Sequence, residues 1–344
     1  MPLPAIIESE SQLEDVLTQP SPTLVQVMSA LQGDLSILGV GGKMGPTLAR
    51  LARRALDEAG SRSDVIGVAR FSDPKVRDLL ESRGVRTLQA DLLADDAMKQ
   101  LPDAANVIFL AARKFGSTGD ESTTWAMNTL LPARVADRYR DSRIVALSTG
   151  NVYPLSPIES HGPTEDDLTG PIGEYAQSCR GKERMFEYFS RQCATRTAIV
   201  RLNYAIDLRY GVLIDIARRV WTNEPIDLTM GHVNIVWQGD ANTAVLRCFE
   251  HCASPPFVLN LTSPETYSVR QLATALGKRL DKQPVFQGTE APNALLSNAA
   301  RYKELMGGPT VTVDRMIDWV AEWIRRDGVT WGKPTHFQVR DGKF

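Results

Sequence analysis

The segment EYAQSCRGKE, residues 174–183, carries a phenol that could move a proton. Positions i, i+3 and i+4 share one face of a helix, so Ser178 and Cys179 would flank Tyr175. An unperturbed tyrosine titrates near pH 10, and at pH 7 only about one phenol in a thousand is ionised. A neighbouring cation would lower that pKa, whereas a thiolate at Cys179 would raise it. We therefore treat this segment as a candidate site for general acid–base chemistry.

A glycine-rich loop in LSILGVGGKMGPTLARLARRA could hold the phosphates of a dinucleotide. Gly39, Gly42 and Gly45 follow a predicted strand directly and open a predicted helix, which is the context that makes such a pattern informative. The loop would turn tightly, let the backbone approach a ligand, and present the free N–H groups of a helix N-terminus to a pyrophosphate. We assign dinucleotide binding to this loop, including Lys43 and Met44 within it.

The end of the second predicted strand, VIGVARFSD, bears on which dinucleotide binds. A carboxylate at this strand end would accept hydrogen bonds from the adenosine ribose and repel a 2′-phosphate. Ala69 occupies the position instead and Arg70 follows, and a guanidinium pairs well with phosphate. The pattern favours NADP(H), and NAD(H) is the alternative if Arg70 is solvated or stacks on adenine. Asp91, with Leu92 beside it, is placed to meet the adenine amino group.

The elements that would position these residues alternate along the chain. Short apolar runs at 35–40, 65–69, 85–90, 106–111, 143–148 and 198–202 alternate with amphipathic stretches, which predicts an α/β fold with a doubly wound parallel sheet. We expect a helical arm at 1–34, a dinucleotide-binding domain at 35–204 with return segments near 235–262, and mainly a smaller α/β substrate-binding lobe at 205–344. The polar tail WGKPTHFQVRDGKF is expected to lie across the surface.

Composition excludes several classes of function. A formal net charge of −2 gives no reason to expect a nucleic-acid partner. The start of the chain lacks a secretion signal, and no apolar run is long enough to span a bilayer. Four cysteines without disulfide-framework spacing fit a reducing cytoplasm. CFEHC, residues 248–252, is interpreted as helix with semi-buried thiols, so we predict no metal site.

The glycine loop, FLAA, ALSTGNVY and EYAQS occur in an order that resembles the extended short-chain dehydrogenase/reductases, the NAD(P)-dependent epimerase/dehydratase family. The similarity runs from about Leu35 to Thr262. It implies a Rossmann domain with a small C-terminal substrate lobe. It also implies a small-molecule substrate, in many members a nucleotide sugar, and a homodimer joined through two long helices of each subunit.

The resemblance implies roles for single residues. Ala111 and Ala112 would line the cofactor cleft, Lys114 would lie near the nicotinamide ribose, and Asn128 matches the family's helix asparagine.

The catalytic hydroxyl of the family falls on Thr149, with Ser148 directly before it. Such a hydroxyl would donate to a substrate oxygen while Tyr175 transfers the proton, as hydride moves to or from the nicotinamide.

The sequence departs from the family four residues after Tyr175. The family has a lysine there, which bonds the nicotinamide ribose and lowers the tyrosine pKa, and this chain has Cys179. Lys182 lies on the same face about 10 Å along the helix, and Lys114 is the other candidate for a compensating cation. Cys179 itself could be a nucleophile, but no obvious histidine base accompanies it, so a small packing residue is the favoured interpretation.

Two functions follow. The first is an NAD(P)-dependent oxidoreductase, epimerase or dehydratase acting on a sugar-like or other hydroxyl or carbonyl substrate. The second is a weakly active or inactive NAD(P)-binding sensor or subunit, which the loss of the lysine would suit. Val233 and Asn234 lie where nucleotide-sugar enzymes usually carry an arginine, so the sequence does not indicate a nucleotide sugar.

Overall fold

The computed structural model describes residues 3–344, and a seven-stranded parallel sheet lies at its centre. The strands are β1 (Leu35–Leu38), β2 (Val65–Ala69), β3 (Arg86–Gln89), β4 (Asn106–Phe109), β5 (Arg143–Thr149), β6 (Ser156–Pro157), β7 (Thr197–Leu202), β8 (Ala205–Ile206), β9 (Pro225–Asp227), β10 (His232–Val233), β11 (Val236–Trp237), β12 (Phe257–Leu261), β13 (Tyr267–Ser268), β14 (Val285–Gln287) and β15 (Asn293–Ala294). The α-helices are α1 (Glu10–Leu17), α2 (Pro22–Ser29), α3 (Gly45–Glu58), α4 (Pro74–Ser82), α5 (Ala97–Gln100), α6 (Glu121–Trp125), α7 (Leu131–Arg138), α8 (Gly173–Cys193), α9 (Val212–Thr222), α10 (Gln238–Arg247), α11 (Val269–Leu280), α12 (Ala300–Met306) and α13 (Val313–Arg325).

The strand order across the sheet is β12-β7-β5-β4-β1-β2-β3. From β1 the chain winds outward through β2 and β3, and then returns to place β4 on the other side of β1. This reversal opens a crevice at the carboxyl ends of β1 and β4, where α/β proteins bind ligands. Leu38 pairs in register with both Val68 and Phe109, so the three strands end level with one another. The doubly wound parallel sheet predicted from the sequence is confirmed.

The strands are apolar along their length because helices cover both faces of the sheet. Alternate residues enter two different cores. Ile37 and Val145 pack on one side with α2, α3 and α10, and Leu38 and Ile144 pack on the other side with α7 and α8. Each of the six predicted strand runs overlaps an observed strand, and β2 has the predicted bounds.

The segment predicted as a helical arm contains the helices α1 and α2, and both are capped by serine. Ser9 accepts a hydrogen bond from the backbone of Gln12, and Ser21 accepts one from that of Leu24. Leu24 and Met28 of α2 are buried in the same core as β1 and α3. This part of the chain therefore packs on the sheet domain.

A second core lies in the C-terminal half, between α9, α11 and α13, and includes the Trp237–Trp319 contact. The tail differs from its prediction, because Thr335 and Phe337 are buried. Hydrogen bonds anchor it: Thr335 donates from its backbone and its hydroxyl to Asp215, and Arg340 donates to the carbonyls of Thr229 and Asn293. These contacts direct the last ten residues toward the carboxyl end of the sheet.

Within the described residues, no helix is both long enough and apolar enough to cross a membrane.

Candidate active site

The glycine loop turns directly after β1 and is packed against its surroundings. Gly39 has a φ of +88°, and a Cβ there would lie 2.7 Å from the backbone nitrogen of Ala111. A Cβ on Gly45, which opens α3, would lie 2.1 Å from the carbonyl oxygen of Val40. Neither position accepts a side chain, whereas Gly42 is exposed and leaves its backbone accessible. The turn thus forms a cradle at the N-terminus of α3.

A cavity of about 400 Å³ lies beside this cradle. It collects seven of the residues that the sequence assigned to the cofactor, which are Gly39, Gly42, Arg70, Asp91, Leu92, Ala111 and Ala112. Ala69 lies at the end of β2, next to the loop, and a Cβ on Gly41 would come within 3.2 Å of its side chain. No acidic side chain stands at that strand end, and the Arg70 side chain is exposed at the rim.

A second cavity of about 210 Å³ continues from the loop past Lys43 and Met44. Lys114, Ser148, Thr149 and Tyr175 line it from the sheet domain. Asn203, Tyr204, Tyr210, Gln238 and Thr335 line it from the C-terminal half. The two cavities adjoin at the glycine loop, so an elongated ligand lying along the loop would reach Tyr175.

Thr149 and Tyr175 are brought together by the ends of two elements. Thr149 ends β5, and Tyr175 lies in the first turn of α8, which begins at Gly173 with a φ of +82°. Burial raises the pKa of Tyr175 well above its ordinary value and Cys179 raises it further, whereas a hydrogen bond with Thr149 lowers it. The phenol is therefore a neutral hydrogen-bond donor in the neutral pH range.

Ser148 is held differently from Thr149. Its Oγ donates to Glu183 Oε1 at 2.7 Å, and Glu183 also accepts two hydrogen bonds from Arg201, at 2.9 and 2.8 Å. All three groups are buried. This network fixes the end of β5 against α8. Ser148 lines the second cavity, but its hydroxyl is hydrogen-bonded to Glu183 and supports the shape of the site.

Cys179 occupies the space next to Tyr175 on α8. It is 1% exposed and packs with Val152, Tyr153 and Phe344. Burial raises the pKa of its thiol, although Lys182 lowers it. Lys182 is itself buried, and its Nζ donates to the carbonyl of Leu147 at 3.2 Å, behind the cavity. Lys182 is therefore hydrogen-bonded to the backbone of β5.

Lys114 lines the second cavity together with Tyr175. Its Nζ lies 5.9 Å from the centroid of the Tyr175 ring and 4.2 Å from that of Phe344, and it donates to the carbonyl of Thr335 at 3.4 Å. Burial lowers the pKa of Lys114 to about 8, and the nearby Cys179 raises it. Lys114 is thus half-buried beside the phenol, and no carboxylate of residues 3–344 contacts it.

Asn128 lies at the centre of a π-helical turn, Ala126–Leu130, and lines neither cavity. Its amide pairs with the backbone of Arg113 through bonds of 2.8 and 2.9 Å, and its Nδ2 also donates to Ser178 at 3.0 Å. It therefore fixes the segment that carries Lys114 against the helix that carries Tyr175. Like Gly45, Asn128 supports the shape of the site from outside it.

The tail completes the wall near Tyr175. The Phe344 ring lies edge-on to the Tyr175 ring, with centroids 5.6 Å apart. The backbone oxygen of Phe344 accepts hydrogen bonds from Ser117 and Thr118, in the loop after Lys114. Sequence reasoning missed this contact, and it also missed Tyr204, Tyr210, Gln238 and Thr335. The only local signal was that RLNYAIDLRYG follows the carboxyl end of a predicted strand.

Comparisons with known proteins agree on the fold. A model of the NAD dependent epimerase/dehydratase family matches residues 35–206, half of the chain. The epimerase Mth375 of Methanothermobacter thermautotrophicus superposes with a TM-score of 0.74 at 16% identity, over 90% of this chain and 97% of that chain. UDP-glucuronic acid 4-epimerase of Bacillus cereus, with UDP-glucuronic acid and NAD, gives 0.71 at 17% identity, over 85% and 99%. UDP-glucose 4-epimerase of Thermotoga maritima, with UDP-glucose, gives 0.68 at 19% identity, over 86% and 99%. No curated protein matches the sequence significantly.

Proposed function

The chain belongs to the NAD dependent epimerase/dehydratase family, and we propose that it uses a nicotinamide dinucleotide to transfer hydride to or from a substrate carbon bearing a hydroxyl or carbonyl group. The observation that carries the proposal is the pair of adjoining cavities, one beside the glycine cradle and one at Thr149 and Tyr175. When bound, the dinucleotide would supply the hydride chemistry. The structural relative from Bacillus cereus contains NAD, which agrees with this proposal.

The residues of the first cavity fit a dinucleotide. The cradle excludes side chains at Gly39 and Gly45, which leaves backbone N–H groups at the start of α3 to face a pyrophosphate. Asp91 would meet the adenine amino group. Lys114, at the junction with the second cavity, would lie by the nicotinamide ribose. These are the groups that would orient the reactive ring toward Tyr175.

Tyr175 would act as the general acid or base, and Thr149 would hold the substrate oxygen beside it. Because the pKa of Tyr175 is raised, the phenol keeps its proton at neutral pH and can donate it to a carbonyl oxygen as that carbon accepts hydride. In the opposite direction the phenol must first lose its proton, so oxidation of a hydroxyl would be favoured at alkaline pH. The same tyrosine serves both directions.

We propose NADP(H) as the preferred cofactor. Ala69 presents no carboxylate to repel a 2′-phosphate, and the exposed Arg70 guanidinium at the rim of the cavity can pair with it. Asp73 lies at the same rim, but its side chain caps α4 by accepting a hydrogen bond from Lys75 at 3.0 Å. We expect calorimetry to show tighter binding of NADPH than of NADH.

The function is tested by turnover with the purified chain. NADPH or NADH is supplied with a panel of carbonyl compounds, and Tyr175→Phe is the matched variant because it removes only the phenolic hydroxyl. We expect Tyr175→Phe to bind the dinucleotide normally and to lose about 10²- to 10⁴-fold in turnover. Binding without turnover in either protein would contradict the enzyme and favour the alternative, a dinucleotide sensor.

We also propose that the chain forms a homodimer in the cytoplasm. Trp125 of α6, Leu130 of the π-helical turn and Tyr188 of α8 are exposed, and they would offer apolar surface to the helix-mediated dimer that the family resemblance implies. The four cysteines are free thiols, which a reducing compartment would maintain. Light scattering at several concentrations tests the dimer, and a Tyr188→Glu variant should shift it toward monomer.

A further inference from the structure

The second cavity has an unusual charge balance. Its lining includes Lys43 and Lys114 but no aspartate or glutamate. Within residues 3–344, no carboxylate lies within 4 Å of either ammonium group. Asp215 is the acid whose charge raises the pKa of Lys43, and its carboxylate already accepts two hydrogen bonds from Thr335. Neither ammonium group is therefore paired with a carboxylate among the described residues.

Aromatic rings and one carbonyl hold these ammonium groups instead. Lys43 Nζ lies 3.2 Å from the centroid of the Tyr210 ring and 4.7 Å from that of Phe115. Lys114 Nζ lies 5.5 Å from the same Phe115 ring, in addition to its contacts with Phe344 and Thr335. A cation–π contact contributes only about 0.5–2 kcal/mol, and each ammonium has three donors. Both lysines thus retain donors for a ligand.

The electrostatic environment is unfavourable to these cations until an anion binds. Burial lowers the pKa of Lys43 to about 7, and repulsion from Lys333 and Lys114 contributes, against a raising effect of Asp215. An anion in the cavity would reverse this shift. Asn203, which lines the same cavity and is 2% exposed, has an Nδ2 with no hydrogen-bond partner within the described residues.

The cavity is small. Its volume of about 210 Å³ is below the roughly 300–1,000 Å³ of sites that bind drug-sized ligands. The anchored tail sets this limit, because Thr335 forms part of the lining and Phe344 packs against Tyr175. The cavity as described therefore favours a compact ligand over a nucleotide sugar.

We infer that the substrate is a compact anion whose carboxylate or phosphate group binds between Lys43 and Lys114, with its reacting carbon at Thr149 and Tyr175. This inference rests on the proposed function and names its substrate class. The Lys43 side chain then serves the substrate, while the backbone of the glycine loop serves the dinucleotide.

Ligands with the same six-carbon chain test the inference by calorimetry, with and without saturating NADPH. Sorbitol is the neutral probe, gluconate carries a carboxylate, and sorbitol 6-phosphate carries a phosphate. We expect at least one anionic probe to bind about tenfold or more tightly than sorbitol, and the tighter of the two identifies the anionic group. UDP-glucose is expected to bind more weakly than that probe.

Variants at Lys43 separate charge from structure. Lys43→Met, of similar length but neutral, should lose at least tenfold in affinity for the anionic probe in the samples without dinucleotide. Lys43→Arg should retain the preference for the anion. Equal binding of sorbitol and both anions, or a loss confined to NADPH in Lys43→Met, would overturn the inference. Absence of NADPH binding to the unmodified chain would instead refute the proposed function. The preference for the anion is measured independently of it, in the samples without dinucleotide.

Discussion

Cys179→Lys restores the cation that the family places beside the tyrosine, and it should move the pH dependence of the reaction. Lysine at this position would bring its ammonium to about 5 Å from the phenol, since residues four apart are neighbours on a helix. With an effective dielectric constant of about 20, a unit charge at about 5 Å stabilises the phenolate by about 3 kcal/mol. That energy corresponds to a shift of about two pH units.

The sign of the shift follows from the direction of the reaction. In the native chain, burial and Cys179 raise the pKa of Tyr175, so oxidation of a hydroxyl increases with pH up to that raised value. In Cys179→Lys the same ascending limb of kcat/KM should lie about two pH units lower. Reduction of a carbonyl needs the protonated phenol, so the pH at which its activity falls should also be about two units lower.

The assay is kcat/KM against pH in both directions, with Cys179→Met as the control. Methionine adds bulk next to Phe344 without adding charge, so it separates crowding from electrostatics. A limb that shifts equally in Cys179→Met and Cys179→Lys, or that moves in neither, would refute the proton-transfer role of Tyr175. A larger downward shift with the lysine than with the methionine supports it, since both variants remove the effect of Cys179 on the pKa of Tyr175.

Three other predictions concern the cradle, the buried network and the cofactor. Gly45→Ala should weaken dinucleotide binding at least tenfold in calorimetry, because its Cβ would lie 2.1 Å from the carbonyl oxygen of Val40; unchanged affinity would contradict the cradle. Glu183→Gln should reduce the free energy of unfolding by about 3 kcal/mol, since it leaves the buried Arg201 without its ion pair; a denaturant midpoint equal to that of the native chain would contradict it. Arg70→Ala should lower the affinity for NADPH about tenfold and leave that for NADH unchanged, as expected for one charge-assisted phosphate contact; an equal loss for both would assign Arg70 to adenine.

The sheet could be predicted because the sequences of parallel strands that are covered on both faces are continuously apolar. VIGVA and RIVALS needed no information from elsewhere in the chain, and their bounds differ from those of β2 and β5 by at most one residue. The glycine loop could also be predicted from a short stretch of sequence, since its function requires a strand, a turn and a helix in immediate succession. The residues at these strand ends followed from the topology, which brings carboxyl ends of parallel strands to one edge.

The remainder of the site depends on contacts between distant parts of the chain. The tail is polar in sequence, and nothing local indicates that Phe344 packs against Tyr175 or that Thr335 lines the cavity. Helical spacing correctly placed Lys182 on the face of Tyr175, but it could not show that the ammonium is bound by the carbonyl of Leu147. Similarly, Ser148 and Thr149 are adjacent in sequence, and only the fold shows that Glu183 engages the first.

Binding of a nicotinamide dinucleotide at the glycine loop is measured most directly by a calorimetric titration of the purified chain with NADP⁺, NADPH, NAD⁺ and NADH. We expect saturable heat with at least one of these nucleotides, at one site per chain, and its loss in Gly39→Val, because a side chain at that position would meet the backbone of Ala111 at 2.7 Å. The absence of heat with all four nucleotides, or binding that Gly39→Val leaves intact, would contradict this expectation.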